Sequence, residues 1–415
     1  MNLRSLPPNL NASERIEARR AMIERELNVD CSALAVNSAA LGHAEERNCE
    51  NMFGTVPIPV GLAGPLTITL SDGTETTVHL PLATTEGALV ASVNRGCKAL
   101  RGVRVDTRSK YHGVTRSIAF RLSNQESATS NWILEHEQEW KSVGEATSSH
   151  LKILSYEIDE QDDHLFLTIA ADTDEAMGMN MVTIAAQAIG EYIQKTTGTQ
   201  FITVAANVDS DKKPSVRTYT KGRGYEASAI CTVPSAIITD ILKTTPEAIL
   251  AVAKAKLDIG SKIAGSIGSN CHTANIIAAL YLATGQDAAH VVEGSLADTT
   301  VESIAEGIKI SVRIPALLLG ICGGGTTLPA QSQCLDVLLK SQIINPTSAP
   351  ASAETSRQSQ IVSCHLLAEL FAAAVLAGEL SLLAAQASHT LAKAHKALGR
   401  LVHRSSTPQP DCEGG

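Results

Sequence analysis

Four polar groups that lie far apart in the chain have the side-chain types needed for acid–base work on a carbonyl compound. They are the carboxyl groups of Glu86 and Asp287, the ammonium group of Lys212 and the imidazole of His395. Carboxyl and imidazole groups can act as general acids, and an ammonium group can stabilise a developing oxyanion. Each group also has a plainer interpretation, as a helix start, a charged surface turn or a solvated histidine. The surrounding sequence has to distinguish the two.

Local sequence supplies an element that could position each group. Glu86 closes a short polar turn and precedes a helical pattern over residues 88–100. Lys212 stands before Lys213-Pro214, and a proline disfavours helix for the residue that precedes it, so an extended loop is predicted. Residues 274–283 are helix-like, and Gly285 is well placed as the C-cap just before Asp287.

Composition restricts the class of protein. A chain of 415 residues suggests roughly two or three domains. Hydrophobic residues make up 44% but aromatic residues only 3%, so the core is built from Ala, Leu, Ile and Val. The formal net charge of −9 argues against a nucleic-acid partner, because binding to phosphates needs a basic face.

Cysteine usage and hydropathy point to the cytoplasm. The nine cysteines are scattered and contain no Cys-x-x-Cys pair, which favours reduced thiols over a disulfide framework or a zinc site. No metal site is predicted. Residues 1–20 carry charges throughout, unlike a signal peptide. The most apolar stretch, 364–387, contains Glu369 and Glu379, so we interpret it as a buried core helix and predict no membrane association.

The order of strand-like and helix-like patterns predicts an α+β fold with an inserted domain. Residues 116–205 read as β/α/β/β/α, typical of a small α+β domain of ferredoxin-like type. The large domain would be discontinuous, over 49–115 and 206–402. A helical N-terminal region occupies 1–48 and a flexible tail 403–415. Within the large domain, residues 66–70 and 76–80 predict a β-hairpin.

Two glycine-containing segments are candidates for nucleotide binding. Gly178 would lie in the first turn of a helix that runs to Gly198, where free amides can bind a pyrophosphate. The nearby Asp174 and Glu175 oppose this, since carboxylates favour the same helix end, so an acid-capped helix remains the alternative. The run 320–327 is rich in glycine and suits either close backbone approach or flexibility. By contrast, 222–227 fits a dinucleotide fingerprint but continues as a strand, so we reject a Rossmann site there.

Taken together, these segments resemble the hydroxymethylglutaryl-CoA reductase family over about residues 45–400. The resemblance rests on 50–65, 83–98, 176–180, 211–214, 222–224, His272 with Asn275, 285–287, 323–326 and 377–382. The Asp-Lys-Lys-Pro loop at 211–214 is similar to the eukaryotic and archaeal class, here without that family's N-terminal membrane anchor. The resemblance implies reduction of hydroxymethylglutaryl-CoA to mevalonate, the entry to isoprenoid synthesis, by a homodimer or a dimer of dimers with sites at the subunit boundary.

The resemblance also implies catalytic roles. Lys212 stabilises the oxyanion, Glu86 donates a proton to the carbonyl oxygen, Asp287 orients and tunes both, and His395 protonates the departing CoA thiolate. Of His389 and His395, only His395 keeps the Lys-x-His spacing of the family, through Lys393. At a helix start the dipole favours ionised Glu86, whereas a proton donor needs a raised pKa, so we expect Glu86 in a water-poor cleft within hydrogen-bonding reach of Lys212 or Asp287.

Binding roles carried over by the resemblance concern the substrate and a nicotinamide cofactor, NADPH with NADH as the alternative. For the substrate carboxylate and its CoA portion they are Arg116, Lys213, Lys256, Ser92, Asn94, Arg95, Asn275 and His272. For the nicotinamide nucleotide they are Ala176, Met177, Gly178, Met179, Asn180, Ser148, Ser149, His150, Gly323, Gly324, Gly325 and Thr326.

Three positions depart from the family pattern. Glu175 replaces an Asp, Ala205 replaces a Ser expected to touch the substrate, and Leu401 stands where a regulatory Ser is expected. The Glu175 and Ala205 changes leave open a non-catalytic paralogue that binds CoA. Ser149 stands where animal members of the family place an Arg on the cofactor 2′-phosphate, which leaves open an enzyme of this fold that prefers NADH or oxidises mevalonate.

Overall fold

The computed structural model describes residues 6–27, 29–35, 37–122, 126–339, 342–345 and 363–389, and every structural statement below refers to these ranges. The strands are β1 Val60–Thr69, β2 Glu75–Ala83, β3 Val105–Arg121, β4 Lys152–Gln161, β5 His164–Asp172, β6 Gln200–Thr203, β7 Gly224–Pro234, β8 Asp298–Ile304, β9 Gly307–Leu317 and β10 Gln342–Asn345. Both α and β elements are well represented, which confirms the α+β class.

The helices are α1 Ala12–Leu27, α2 Ser38–Leu41, α3 Ala44–Arg47, α4 Leu89–Ala99, α5 Glu126–Glu135, α6 Glu137–Glu145, α7 Met179–Thr197, α8 Val216–Lys221, α9 Ser235–Ile237, α10 Pro246–Ala253, α11 Ser261–Ala264, α12 Thr273–Thr284, α13 Val291–Gly294, α14 Pro329–Leu339 and α15 Cys364–Ala387. Short 3₁₀ turns occupy Ser32–Leu34, Ala288–His290 and Gly324–Thr327, and π-helical turns occupy Ile238–Leu242 and Lys254–Gly260.

A mixed sheet forms the large domain, with strand order β10-β2-β1-β3-β7-β9-β8. Its pairs are antiparallel except for β1 with β3, which meet in parallel at Thr69 and Asp106. Burial alternates along β7, as expected for a sheet with one face on the core and one face toward water. The predicted hairpin at 66–70 and 76–80 is confirmed as part of β1 and β2.

Helix α15 runs through the centre of the core and is buried along most of its length. It is long and apolar enough to span a membrane by length and composition, yet 89% of its most apolar window is buried inside the protein. Gly378 does not interrupt it. Its two buried carboxylates are both hydrogen-bonded. Glu369 accepts from Ser71, Thr107 and Ser109, and Glu379 accepts from the Cys271 and His272 amides and the Thr299 hydroxyl. Buried charges are tolerated when donors satisfy them, as here.

A second sheet shares the long strand β3 with the first. The first half of β3 pairs with β7, and from Val114 onward β3 pairs with β5, which in turn pairs with β4. A separate cluster of buried apolar residues lies between this sheet and helices α5–α7 and runs from Val114 to Ile193, joined by Leu318. The domain limits at 116 and 205 stay a prediction.

Two local predictions need comment. The predicted β/α/β/β/α order is wrong in its first helix, because the chain forms two helices there, α5 and α6, with a break at His136. The rejection of a Rossmann turn at 222–227 is confirmed, because Gly224 begins strand β7 rather than a helix. The predicted tail at 403–415 falls outside the described residues.

Candidate active site

Lys212 and Asp287 form an ion pair at the centre of the candidate site. The distance from Lys212 Nζ to Asp287 Oδ2 is 2.7 Å, and the two side chains are 41% and 35% exposed. Lys212 lies in the loop between β6 and α8 in a left-handed conformation with φ 56°. Asn207 and Ser210 in the same loop also have positive φ, at 65° and 58°. Such backbone strain in non-glycine residues persists only where surrounding contacts hold it.

Asp287 caps the 3₁₀ turn that follows helix α12 and accepts a hydrogen bond from the Ala289 amide at 3.0 Å. Partial burial acts to raise its pKa. The hydrogen bond from Lys212, the Ala289 amide and the neighbouring His290 outweigh burial, so the pKa of Asp287 lies below its ordinary value. Asp287 therefore stays ionised near neutral pH and keeps a fixed negative charge beside the ammonium group.

A buried polar network underlies the lysine loop, and sequence reasoning missed it. Glu293 Oε1 accepts from the Lys212 amide at 2.6 Å and from Arg223 Nη1 at 2.7 Å. Arg223 Nη2 lies 3.0 Å from Asp211 Oδ1, and His290 Nδ1 lies 3.4 Å from Glu293. The one sequence signal is Arg223, inside the Gly222–Gly224 segment that also contributes to the family resemblance.

Asp211, His290 and Glu293 bring ligand-type atoms within 4.8 Å of one another. The guanidinium group of Arg223 bonds to both carboxylates of this set. It takes the place that a metal ion would need, and its charge would repel one. We therefore interpret the cluster as an ion-pair network.

The three cations predicted for the substrate carboxylate have different surroundings. Arg116 donates to Thr183 Oγ1 and faces Asp209 and Asp211 at 3.4 and 3.3 Å, so acidic groups already balance its charge. Lys213 is exposed beside Lys212 and donates to the Asp211 carbonyl at 3.0 Å. Lys256 lies on the π-helical turn Lys254–Gly260, close enough to Cys271 to influence its thiol.

The residues predicted for CoA line the contact between helices α4 and α15. Ser92 shares a hydrogen bond with Ser381 at 3.0 Å, and Arg95 donates to the same hydroxyl at 3.0 Å. Asn94 accepts from the Gly64 amide at 3.1 Å and is exposed. Burial lowers the pKa of Arg95. These contacts give the side chains a packing role in addition to any role in ligand binding.

His272 and Asn275 lie at the start of helix α12, near the end of α15. The amide of His272 donates to Glu379 at 2.8 Å, and the neighbouring Cys271 amide donates to the same carboxylate at 2.7 Å. The buried His272 Nε2 has no hydrogen-bond partner among the described residues. Asn275 is half-buried.

Glu86 is exposed, so the expectation of a water-poor cleft is wrong for the single chain. Its amide donates to Thr84 Oγ1 at 3.0 Å, and within the described ranges its carboxyl group makes no hydrogen bond or ion pair with Lys212 or Asp287. Glu86 is exposed because it lies in the turn between β2 and α4, and no other described part of the chain covers this turn.

Two loops predicted for the nicotinamide nucleotide meet through their backbones. Ala176 and Cys322 form an isolated parallel bridge, and the Ile321 amide donates to the Glu175 carbonyl at 2.9 Å. Gly178 begins helix α7 in a left-handed conformation with φ 79° and no side-chain cap. An uncapped helix start leaves amide donors for an anion. The first loop, residues 176–180, and the second, 323–326, thus form one continuous rim.

This rim adjoins the lysine–aspartate pair. Gln286, next to Asp287, donates to the Gly320 carbonyl at 2.9 Å and accepts from its amide at 2.8 Å. Gly325 lies so close to Gly285 that a Cβ on Gly285 would be 2.3 Å from its carbonyl oxygen. Met179 differs from the rest of its loop, because it is buried and its sulfur faces Arg223 at 3.2 Å.

The remaining predicted positions are peripheral or outside the described ranges. Ser148 donates to Met181 Sδ at 3.3 Å, Ser149 is exposed, and His150 Nδ1 lies 2.7 Å from Asp174 Oδ2. Glu175 accepts from the Cys364 amide, which ties it to the start of α15. His395 lies outside the described residues.

Comparison with known proteins identifies the family. The family model "Hydroxymethylglutaryl-coenzyme A reductase" matches residues 15–400. The 3-hydroxy-3-methylglutaryl-coenzyme A reductase of Halobacterium salinarum is 39% identical over 96% of each chain, and that of Methanothermobacter thermautotrophicus is 38% identical over 96% of this chain and 97% of the relative. A solved class II reductase from Streptococcus pneumoniae, bound to NADPH, shares the fold with a TM-score of 0.63, 17% identity, and coverage of 89% and 96%. This protein belongs to the hydroxymethylglutaryl-coenzyme A reductase family.

Proposed function

We propose that this chain reduces 3-hydroxy-3-methylglutaryl-CoA to mevalonate and free CoA with two NADPH. The observation that carries the proposal is the 2.7 Å pair of Lys212 and Asp287, held beside a rim of uncapped helix amides and glycines. The relatives named as such reductases, 38–39% identical over nearly the whole chain, support the reaction.

Lys212 supplies the cation for both reduction steps. Its ammonium group stabilises the negative charge that grows on the thioester oxygen, and later on the aldehyde oxygen. Asp287 fixes the direction of the ammonium group through their 2.7 Å contact. Of the cations near the site, Lys213 and Lys256 are better suited to the substrate carboxylate than Arg116, whose charge two aspartates already balance.

Two proton donors complete the reaction. Glu86 protonates the carbonyl oxygen, and His395 protonates the CoA thiolate as it leaves. When bound, each NADPH supplies one hydride. The amides of 178–180 and the backbone of 323–326 hold its pyrophosphate, since an uncapped helix start and a glycine loop both suit a phosphate ligand.

We also propose a homodimer, because Glu86 is exposed to water in the single chain and a second subunit could shield it. Beside it runs an apolar strip, Phe53 to Leu62, tied to the turn through the Thr84 amide and the Pro59 carbonyl. Its exposed side chains are Phe53, Val56, Ile58, Val60 and Leu62. A second copy that covers this strip would exclude water from Glu86. Association of two dimers is compatible with this arrangement.

NADH is the second candidate cofactor, and one contact favours it. The exposed His150–Asp174 pair lies near the start of α7, and a carboxylate there would repel a phosphate on the cofactor ribose. NADPH remains the proposal because the ammonium group of Lys152 offers compensating positive charge. We place the enzyme in the cytoplasm, since its eight described cysteines are free and α15 is a core helix.

The test is turnover of the purified protein with the thioester and each cofactor. We expect two NADPH oxidised for each mevalonate formed, with one free thiol released. Lys212→Ala should lose turnover, whereas Lys309→Ala should not, although Lys309 is similarly exposed at 42% and likewise ion-paired. Absence of turnover with both cofactors would refute the proposal, and tight CoA binding without turnover would favour the non-catalytic paralogue.

A further inference from the structure

The fully buried carboxylate of Glu293 contacts the lysine loop directly, and it also approaches the loop's partner Asp287 through His290. Glu293 is 0% exposed, and its Oε1 accepts a hydrogen bond from the main-chain amide of Lys212 at 2.6 Å. A charge-assisted hydrogen bond of this kind is short and strong. It acts on the residue whose backbone is held in the left-handed conformation, with φ 56°. Glu293 thereby opposes relaxation of the Lys212 backbone.

The same carboxylate reaches the other end of the lysine side chain through His290. The imidazole is fully buried, with Nδ1 3.4 Å from both oxygens of Glu293. Its Nε2 lies 3.7 Å from Asp287 Oδ2 and has no hydrogen-bond partner among the described residues. Asp287 Oδ2 is also the atom that faces the Lys212 ammonium group. His290 thus lies between Glu293 and the partner of the lysine.

Arg223 makes this burial of charge possible. Its guanidinium group is 1% exposed and lies 2.7 Å from Glu293 and 3.0 Å from Asp211, the residue before Lys212. Removing one member of such a buried pair leaves the other charge without compensation. The pair therefore restrains residues 211 and 212 together.

We propose that Glu293 is the positioning residue for Lys212, fixing the lysine backbone directly and the lysine-facing Asp287 carboxylate through His290. The proposal rests on the function proposed above. Glu293 does not touch substrate; its effect on the reaction comes from holding the ammonium group where the oxyanion develops. Removing Glu293 should lower the rate of reduction more than the affinity for the thioester, because stabilisation of the oxyanion is needed only as charge develops.

The test compares Glu293→Gln with Glu369→Gln in the full-length protein. Glu369 is a matched control, because it is 2% exposed and accepts hydrogen bonds from Ser71, Thr107 and Ser109, away from the lysine loop. Both variants lose one buried charge with little change of shape. Folding is checked by circular dichroism and Tm, and substrate binding by calorimetry.

We expect Glu293→Gln to lower kcat about 10- to 100-fold with KM for the thioester changed less than about 3-fold, in keeping with the cost of small misplacements at an active site. The acid limb of the kcat profile should move to higher pH, because Asp287 would remain partly buried but lose its fixed cation. Glu369→Gln should lower Tm but leave kcat and the profile unchanged.

Three results would overturn the proposal: wild-type kcat in folded Glu293→Gln, an unmoved acid limb, or an equal loss of kcat in Glu369→Gln. If Glu293→Gln does not fold, His290→Gln takes its place with the same expected and contrary results. The wild-type protein in the same assay separates the two proposals, since no wild-type turnover refutes the reductase proposal, whereas wild-type turnover with an unaffected variant refutes only this one.

Discussion

Asp287 Oδ2 lies 2.7 Å from Lys212 Nζ, and this contact joins the loop after β6 to the turn after α12. Asp287→Asn keeps the shape of the side chain but removes the charge that orients the ammonium group. We expect kcat to fall by about 100-fold or more, with little change in Tm because the pair is partly exposed. Asp106→Asn, which breaks the exposed pair with Arg104, is the matched control and should leave kcat unchanged.

The loop that precedes residues 323–326 depends on Gln286, which is buried and bonds to both the amide and the carbonyl of Gly320. Gln286→Leu leaves two backbone groups without partners, at a cost of about 1–3 kcal/mol for each buried group. We expect KM for NADPH to rise about 10-fold or more, because the loop loses the contact that orders it. Steady-state kinetics with the thioester saturating measure this, and an unchanged KM would contradict it.

Acid stability should depend on Glu45, which holds helix α1 against the body of the protein. A hydrogen bond from Arg15 is the main reason that the pKa of Glu45 falls to about 2, although burial opposes it. A depressed pKa contributes stability that is present above the ordinary value of about 4.3 and lost as pH falls toward 2. We expect Glu45→Gln to lower stability by about 2 kcal/mol at pH 7 and by less at pH 2. Chemical denaturation at both pH values, with Glu302→Gln as an exposed control, tests this; an equal loss at both would contradict it.

The close crossing of α4 and α15 depends on Gly96. A Cβ at this position would lie 1.9 Å from the Ala377 carbonyl oxygen. Gly96→Ala should therefore destabilise the protein by about 1–3 kcal/mol and displace Ser92 and Arg95, raising KM for the CoA thioester. Gly102→Ala is the control, because only its positive φ opposes a side chain and nothing lies within 4 Å. Equal Tm values for the two variants would refute the packing argument.

The exposed strip from Phe53 to Leu62 should form a subunit contact. Val56 is 77% exposed, and Leu62 lies on the same strip at 56%. We expect Val56→Lys with Leu62→Lys to convert dimers to monomers in light scattering and to lower kcat, since Glu86 would return to water. Leu154→Lys, on the exposed strand β4, should leave both unchanged. Dimers that persist with full activity would contradict the arrangement.

Much of the fold was predictable because its signals are local. The hairpin β1–β2, the core helix α15 and the strand that follows Gly224 all show their period or turn residues in sequence. The break between α5 and α6 was not predictable, since no proline or glycine marks it.

The site was predictable only in part. Lys212 and Asp287 were assigned through the family resemblance of the segments that contain them, and the structure brings them together. Glu293 and His290 lie in a stretch with no motif of its own, and their importance depends on contacts with Arg223, some seventy residues away. The exposure of Glu86 was not predicted, because the burial of a turn depends on which distant parts of the chain pack over it. The local sequence of a helix start is the same whether it is buried or exposed.

Strand β3 belongs to both sheets. Residues up to Gly113 pair with β7 in the large sheet, and those from Val114 onward pair with β5 in the small one. The register shifts between Tyr111 and Gly113, and Gly113 has φ 84°. Beyond this glycine the strand carries Arg116, which donates to Thr183 on the helix that begins after Gly178. One unbroken strand therefore connects the large sheet to the helix whose uncapped start faces the proposed cofactor loops.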